Sequence, residues 1–186
     1  MNILKKIRKR LTYTEVSPLP YTTGLQEAYS GKSVAGGHLN GMHVVVTGGT
    51  GGIGFSIAKR YLGEGCDVTI TGRSEEKLKF ALKQLEDTRQ GKVDYVIMDQ
   101  LDPASINQAL RNMLGKNEID IWVNCAGICT DTDKSRRFRS VGKRTYTDVM
   151  DTNLKSVALI CEMLAEHWVS VRKKGQIINI ASICGL

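Results

Sequence analysis

From His43 to Ala181 the chain alternates short β-branched runs with longer stretches whose apolar residues recur every three or four positions. No other feature restricts its fold as tightly. The short runs are HVVVT, DVTIT, VDYVIM, IDIWVN and QIINIA, and each reads as a strand. Between the first two lies GIGFSIAKRYLGEG, which sets Ile53, Ile57, Ala58, Tyr61 and Leu62 on one helical face, with Gly63 or Gly65 as the stop. Ser74 caps a helix that carries Glu75 and Glu76 in its first turn and Leu78, Leu82 and Leu85 toward a core. DPASINQALRNML is a helix with Pro103 in its first turn, and TYTDVMDTNLKSVALICEMLAEHWVSVRK reads as one long helix. Strands separated by helices of about ten residues or more pair in parallel, with helices on both faces. The expectation is a doubly wound α/β sheet, and right-handed crossovers give the strand order 3-2-1-4-5.

This pattern spans residues 41–186, one domain. Residues 1–40 lack it, and Pro18, Pro20 and GKSVAGGHLNG suggest a basic arm or linker. The apolar runs are too short to span a bilayer, which takes roughly 20 residues. MNILKKIRKRL lacks the apolar region of a secretory signal. The five cysteines are scattered and form no C-x-x-C pair, and no histidine cluster accompanies them. That usage points to reduced thiols, a cytoplasmic protein and no metal site. The net charge of +7 is concentrated in two blocks, one at Lys5, Lys6, Arg8, Lys9 and Arg10, the other between Lys134 and Arg144. In the arm, Ile3, Leu4, Ile7 and Leu11 would line one helix face opposite the cations, so residues 1–11 suit an anionic membrane surface. Nucleic acid is not expected, since the arm has no interleaved aromatics and the domain has no reader motif. The second block suits a solvated loop or an anionic substrate.

The strand HVVV runs into TGGTGGIG, Thr47 to Gly54, and a helix follows. A glycine turn at a strand's carboxyl end lets a pyrophosphate approach the backbone, and the helix behind it offers free N–H groups. Gly48, Thr50, Gly52, Ile53 and Gly54 are therefore candidate cofactor contacts. The loop fits T-G-x-x-x-G-x-G, and with Asn124-Cys125-Ala126-Gly127, MDTNLKS and INIAS following in order, residues 40–186 resemble the short-chain dehydrogenase/reductases. The loop also fits the T-G-x-x-G-x-x-G of their longer nucleotide-sugar epimerase relatives, and the later motifs favour the short-chain branch. The resemblance implies a Rossmann-like fold, hydride transfer between a nicotinamide cofactor and a carbonyl or alcohol carbon of a small-molecule substrate, and a homo-oligomer. It implies cofactor contacts at Asn124, Ala126 and Gly127, and places Asp99, followed by Gln100, where the family binds adenine.

The second strand ends in Gly72-Arg73-Ser74. An acidic residue there would grip the ribose hydroxyl of NAD; a glycine beside a guanidinium suits the 2′-phosphate of NADP instead. NADP is the expected cofactor and NAD the weaker fit, with Arg73 and Ser74 at the phosphate.

The resemblance further assigns Ser182 to polarising the carbonyl oxygen and Asn153 to holding a water behind the proton donor. The donor itself would be the tyrosine of a Y-x-x-x-K pair, whose lysine lowers a phenol pKa of about 10 toward neutrality. None of Tyr13, Tyr21, Tyr29, Tyr61, Tyr95 and Tyr146 precedes a lysine at that spacing. In the family the pair follows Ser182 together with two more strands. The expectation is thus a catalytic fold short of its last strands, ending on an apolar edge that argues for truncation. The alternative is a non-catalytic dinucleotide-binding or scaffolding protein.

Overall fold

The computed structural model describes residues 39–87, 91–116, 118–129 and 145–182. The basic arm, including the membrane-facing expectation for residues 1–11, lies outside the described residues. So do most of the basic insert and the terminal ICGL. In chain order the elements are β1 His43–Thr47, α1 Gly52–Gly63, β2 Asp67–Gly72, α2 Glu75–Glu86, β3 Val93–Ile97, α3 Pro103–Lys116, β4 Ile121–Asn124, α4 Tyr146–Met150, a π-helical turn Asp151–Lys155, α5 Ser156–Ser170 and β5 Gln176–Asn179. All neighbouring strands pair in parallel in the order β3-β2-β1-β4-β5, the order that right-handed crossovers demand. No described helix is long and apolar enough to cross a membrane.

The central strand shows why the sheet needs helices on both faces. Val44 and Val46 point into a core with Ala58 and Leu62 of α1 and Leu78, Ala81 and Leu85 of α2. Val45 points the other way, into a core with Ile106 and Leu110 of α3 and Ile160, Leu164 and Trp168 of α5. A strand buried on both faces reads as a continuous apolar run rather than an alternating one.

Two sequence expectations change. Ile53 does not belong to the buried face of α1; it is 63% exposed, while Gly54, Ala58 and Leu62 form the buried stripe. The helix enters over the sheet at Gly54, so its preceding residue projects outward. The long helix expected over residues 145–173 is broken into α4, the π turn and α5. It starts on a capping box: Thr145 Oγ1 accepts from Asp148 N at 3.1 Å, and Thr145 N donates to Asp148 Oδ2 at 2.7 Å. It stops where Arg172 takes a left-handed φ of 54° and Lys173 N returns to Trp168 O at 2.8 Å.

Asn124 joins β4 to β5 from inside. Its Oδ1 accepts from Trp122 Nε1 at 2.8 Å, and its Nδ2 donates to Asn179 Oδ1, its register partner, at 2.8 Å. A buried donor left without a partner costs about 1–3 kcal/mol. Asn124→Ala is therefore expected to lower the unfolding free energy by about 2 kcal/mol in a urea titration. A loss under about 0.5 kcal/mol would mean that the bridge is replaced without cost.

At the amino ends of the strands, Lys173 Nζ lies 2.8 Å from Asp120 Oδ1 and 2.7 Å from Glu118 Oε2. Asp120 Oδ2 accepts from His43 N at 2.8 Å, and His43 Nε2 lies 2.8 Å from Thr69 Oγ1. Burial, opposed only in part by the Glu118 carbonyl and nearby carboxylates, holds the His43 imidazole below its ordinary 6.5. Burial alone would raise the Asp120 carboxyl, but the Lys173 ammonium and the His43 N–H outweigh it and hold the carboxyl low. Both folded values lie below the unfolded ones. The stability each group adds is complete above its unfolded value and drains away as pH falls toward the folded one. Melting temperature is expected to drop as pH falls below about 6.5 and His43 is forced to charge, and His43→Gln should flatten that drop. Parallel pH profiles for the two proteins would remove His43 from the account.

Candidate functional site

The site begins where β1 ends. Gly48 turns the chain with a φ of +69°, and its N–H donates to Thr71 O at 3.0 Å. A side chain on Gly48 would begin 2.8 Å from Ala126 Cα, and one on Gly54 would begin 2.5 Å from the Gly48 carbonyl oxygen. Only glycine fits at either place. The first turn of α1 carries no acidic residue, and no side chain caps it at Gly51. Its leading N–H groups therefore form a positive end without a built-in anion. Thr47 Oγ1 accepts from both Cys125 N and Ala126 N at 3.0 Å, which ties the exit of β4 to that of β1.

These strand exits enclose a cleft of about 400 Å³ at the carboxyl ends of the sheet. This is the crevice of a topological switch point, where the connection leaving β1 runs to β2 on one side and that leaving β4 runs to β5 on the other. Gly48, Thr50, Ile53 and Gly54 form its first wall. Gly72 and Arg73 leave β2 into it, Asp99 and Gln100 follow β3, and Ala126 and Gly127 follow β4. Ile53, exposed on α1 rather than buried, thus lines the cleft, as its place in the glycine loop suggests.

The other sequence candidates do not line the cleft. Gly52 opens α1 with a φ of +55°. Ser74 is the N-cap of α2, accepting from Lys77 N at 3.4 Å. Asn124 faces into the sheet bridge. The Asn153 side chain holds the backbone of Ile128 from both sides, accepting from Ile128 N at 2.9 Å and donating to Ile128 O at 2.8 Å. Ile128 lines the cleft, so Asn153 reaches it through that residue. Ser182 lies exposed just beyond β5.

Arg73 is exposed at the rim, and among the described residues no carboxylate pairs with it. Its neighbour Glu75 is engaged instead by Lys79 Nζ at 2.8 Å and Tyr95 Oη at 3.3 Å. Asp99 is not the cap of α3. Asp102 Oδ1 takes Ala104 N at 2.9 Å in that role, while Asp99 Oδ1 accepts from Leu101 N at 3.0 Å. Burial pushes the Cys125 thiol up, so the thiol in the wall stays protonated. Sequence reading missed Thr71, Met98, Thr152 and Ile180 as lining residues. Thr71 carried a faint signal, as the strand-end partner of Thr47; Thr152 carried none beyond its adjacency to Asn153. Two buried atoms at this wall, Gln100 Nε2 and Thr152 Oγ1, have no hydrogen-bond partner among the described residues.

Comparison with known proteins gives the same picture over the same span. The short chain dehydrogenase family profile matches residues 42–186. The 3-oxoacyl-acyl-carrier-protein reductase FabG of Chlamydia muridarum is 35% identical over 143 residues, covering 76% of this chain and 56% of that protein. A short chain dehydrogenase from Mycobacterium smegmatis superposes with a TM-score of 0.69 at 30% identity, covering 81% of this chain and 61% of that one. An actinorhodin polyketide ketoreductase solved with NADPH gives 0.66 at 28% identity, covering 76% and 53%. The chain thus spans little more than half the length of the curated FabG relative that it matches. With the glycine turn, the N-C-A-G strand exit and the parallel sheet in the same order along it, the chain belongs to the short-chain dehydrogenase family.

Proposed function

We propose that the cleft holds NADP(H) and that the protein is a carbonyl reductase of the 3-oxoacyl reductase kind. The observation that carries the reading is the cradle at Gly48 and Gly54, which any side chain would fill, set beneath an uncapped helix end and beside Arg73, with which no carboxylate among the described residues pairs. A pyrophosphate suits the α1 N–H groups, and a 2′-phosphate suits Arg73, whose guanidinium can meet it with charge-assisted bonds. Asp99 and Gln100 stand where the adenine would lie, and Ala126 and Gly127 keep the β4 exit low enough for the dinucleotide to pass over it.

When bound, the dinucleotide supplies or accepts a hydride at its nicotinamide ring. The rest is the work of this chain's side chains. Ser182 Oγ would donate a hydrogen bond to the carbonyl oxygen as negative charge builds there. Asn153 is a positioning residue, which fixes Ile128 in the cleft wall through both of its amide atoms. The proton donor is the tyrosine of the Y-x-x-x-K pair that the resemblance implies, which none of the six tyrosines of this sequence supplies. The ketone class follows the named relatives, reductases of 3-oxoacyl and polyketide carbonyls.

Cofactor titration at fixed ionic strength tests this. Arg73→Ala is expected to weaken NADPH binding roughly ten- to a hundredfold while NADH barely moves, since only the former has a phosphate for the guanidinium. Gly72→Asp should swing preference toward NADH. The new Cβ would lie 3.2 Å from Thr50 Cγ2, a methyl that yields by a small turn, so the variant fits. Equal losses for both dinucleotides in Arg73→Ala would make the arginine structural, and a wild type that prefers NADH would sink the NADP assignment.

A further inference from the structure

Arg73 has a carboxylate for a near neighbour in sequence. Glu75 stands two residues on, across a Ser74 whose backbone is extended at φ −103° and ψ 111°. In an extended segment residues two apart rise on the same side, which sets that carboxylate within reach of the guanidinium. It is held elsewhere. Glu75 Oε1 accepts from Tyr95 Oη at 3.3 Å and lies 2.8 Å from Lys79 Nζ, one turn along α2. The Lys79 ammonium, and after it the Tyr95 hydroxyl, hold the Glu75 carboxyl below its ordinary range. The two holders differ in kind. Lys79 is an exposed partner four residues along the helix, a pair that alone contributes little. Tyr95 is fixed in β3 opposite Ile70, and its ring packs against the core that α2 covers, so its hydroxyl emerges at a set point. None of Glu75, Lys79 and Tyr95 lines the cleft.

We propose that Tyr95 and Lys79 are positioning residues for cofactor choice: they draw the Glu75 carboxylate away from Arg73 and leave the guanidinium to an anionic group of the dinucleotide. Released, Glu75 would compete for the guanidinium and repel that anion. This inference rests on the NADP reading and extends it to side chains that never meet the ligand.

A mutant cycle read in cofactor affinity tests this. Calorimetry at low, fixed ionic strength would titrate NADPH and NADH into wild type, Glu75→Gln, Tyr95→Phe/Lys79→Gln and the triple variant. Tyr95→Phe/Lys79→Gln is expected to bind NADPH about fivefold more weakly, the ceiling for one exposed ion pair newly made by Arg73, with NADH unchanged. Glu75→Gln by itself should move NADPH binding by less than about twofold. Added to Tyr95→Phe/Lys79→Gln, it should restore the affinity to within about twofold of wild type. Loss of the Lys79 charge alone would weaken NADPH by the same factor with or without Glu75. Additive effects around the cycle therefore overturn the proposal, as does a Tyr95→Phe/Lys79→Gln variant that binds NADPH like wild type. Should that variant fail to fold, Lys79→Gln alone leaves Tyr95 in place and carries the same cycle, with a loss of about twofold to threefold and the same rescue. A wild type that prefers NADH, or binds neither dinucleotide, overturns the NADP reading itself, whereas a preference for NADPH with an additive cycle overturns this inference alone.

Discussion

The carbonyl of Gly48 occupies the space in which a side chain on Gly54 would start, at 2.5 Å. Everything above the sheet depends on that contact. It lets α1 begin directly over the end of β1, which fixes the line along which Ala58 and Leu62 press on Val44 and Val46. It also aims the bare N–H groups of α1 at the mouth of the cleft. The same turn brings Gly48 against Ala126, so β1 and β4 end side by side, locked by the two hydrogen bonds to Thr47 Oγ1. Packing and ligand space are thus two results of one close approach.

The two ends of the sheet solve opposite problems. At the amino ends, charge is closed off: Lys173 satisfies Asp120 and Glu118, and burial favours the neutral form of His43, whose ring nitrogens meet Thr69 and the Glu118 carbonyl. At the carboxyl ends, polar groups stand open: an exposed arginine, an uncapped helix and two orphaned buried atoms. Departures from full satisfaction collect at functional sites, while the rest of a fold stays locally consistent.

Much of this was legible in the sequence because it rests on short-range rules. Strand order follows from alternation and handedness, and the glycine turn follows from what a side chain would obstruct. Arg73 was expected at the cleft from its place at the end of the second strand and Asp99 from the family resemblance, and both line it. What was not legible came from tertiary contact. Asn124 looks like a cofactor contact in a motif, yet its side chain is taken up by Trp122, two residues back on the same strand, and by Asn179, its β4–β5 register partner. Ile53 looks like core by helical spacing, yet the point at which α1 mounts the sheet turns it outward. Nothing in the periodicity of residues 145–173 announces a turn with an extra residue, because Leu, Ala and Met are good helix formers at any of those positions.

That wide turn has a consequence for the helix that follows. Thr152, Ser156, Ile160, Leu164 and Trp168 are all buried, and each lies four residues beyond the last. In an unbroken α-helix four residues sweep about 400°, so such a stripe creeps sideways by about 40° at each step. A π turn rotates less per residue and sets the phase back at the outset. The turn acts as a vernier between the pitch of the helix and the flat face of the sheet. Asn153, within that turn, faces away from the stripe and holds Ile128 by both amide atoms.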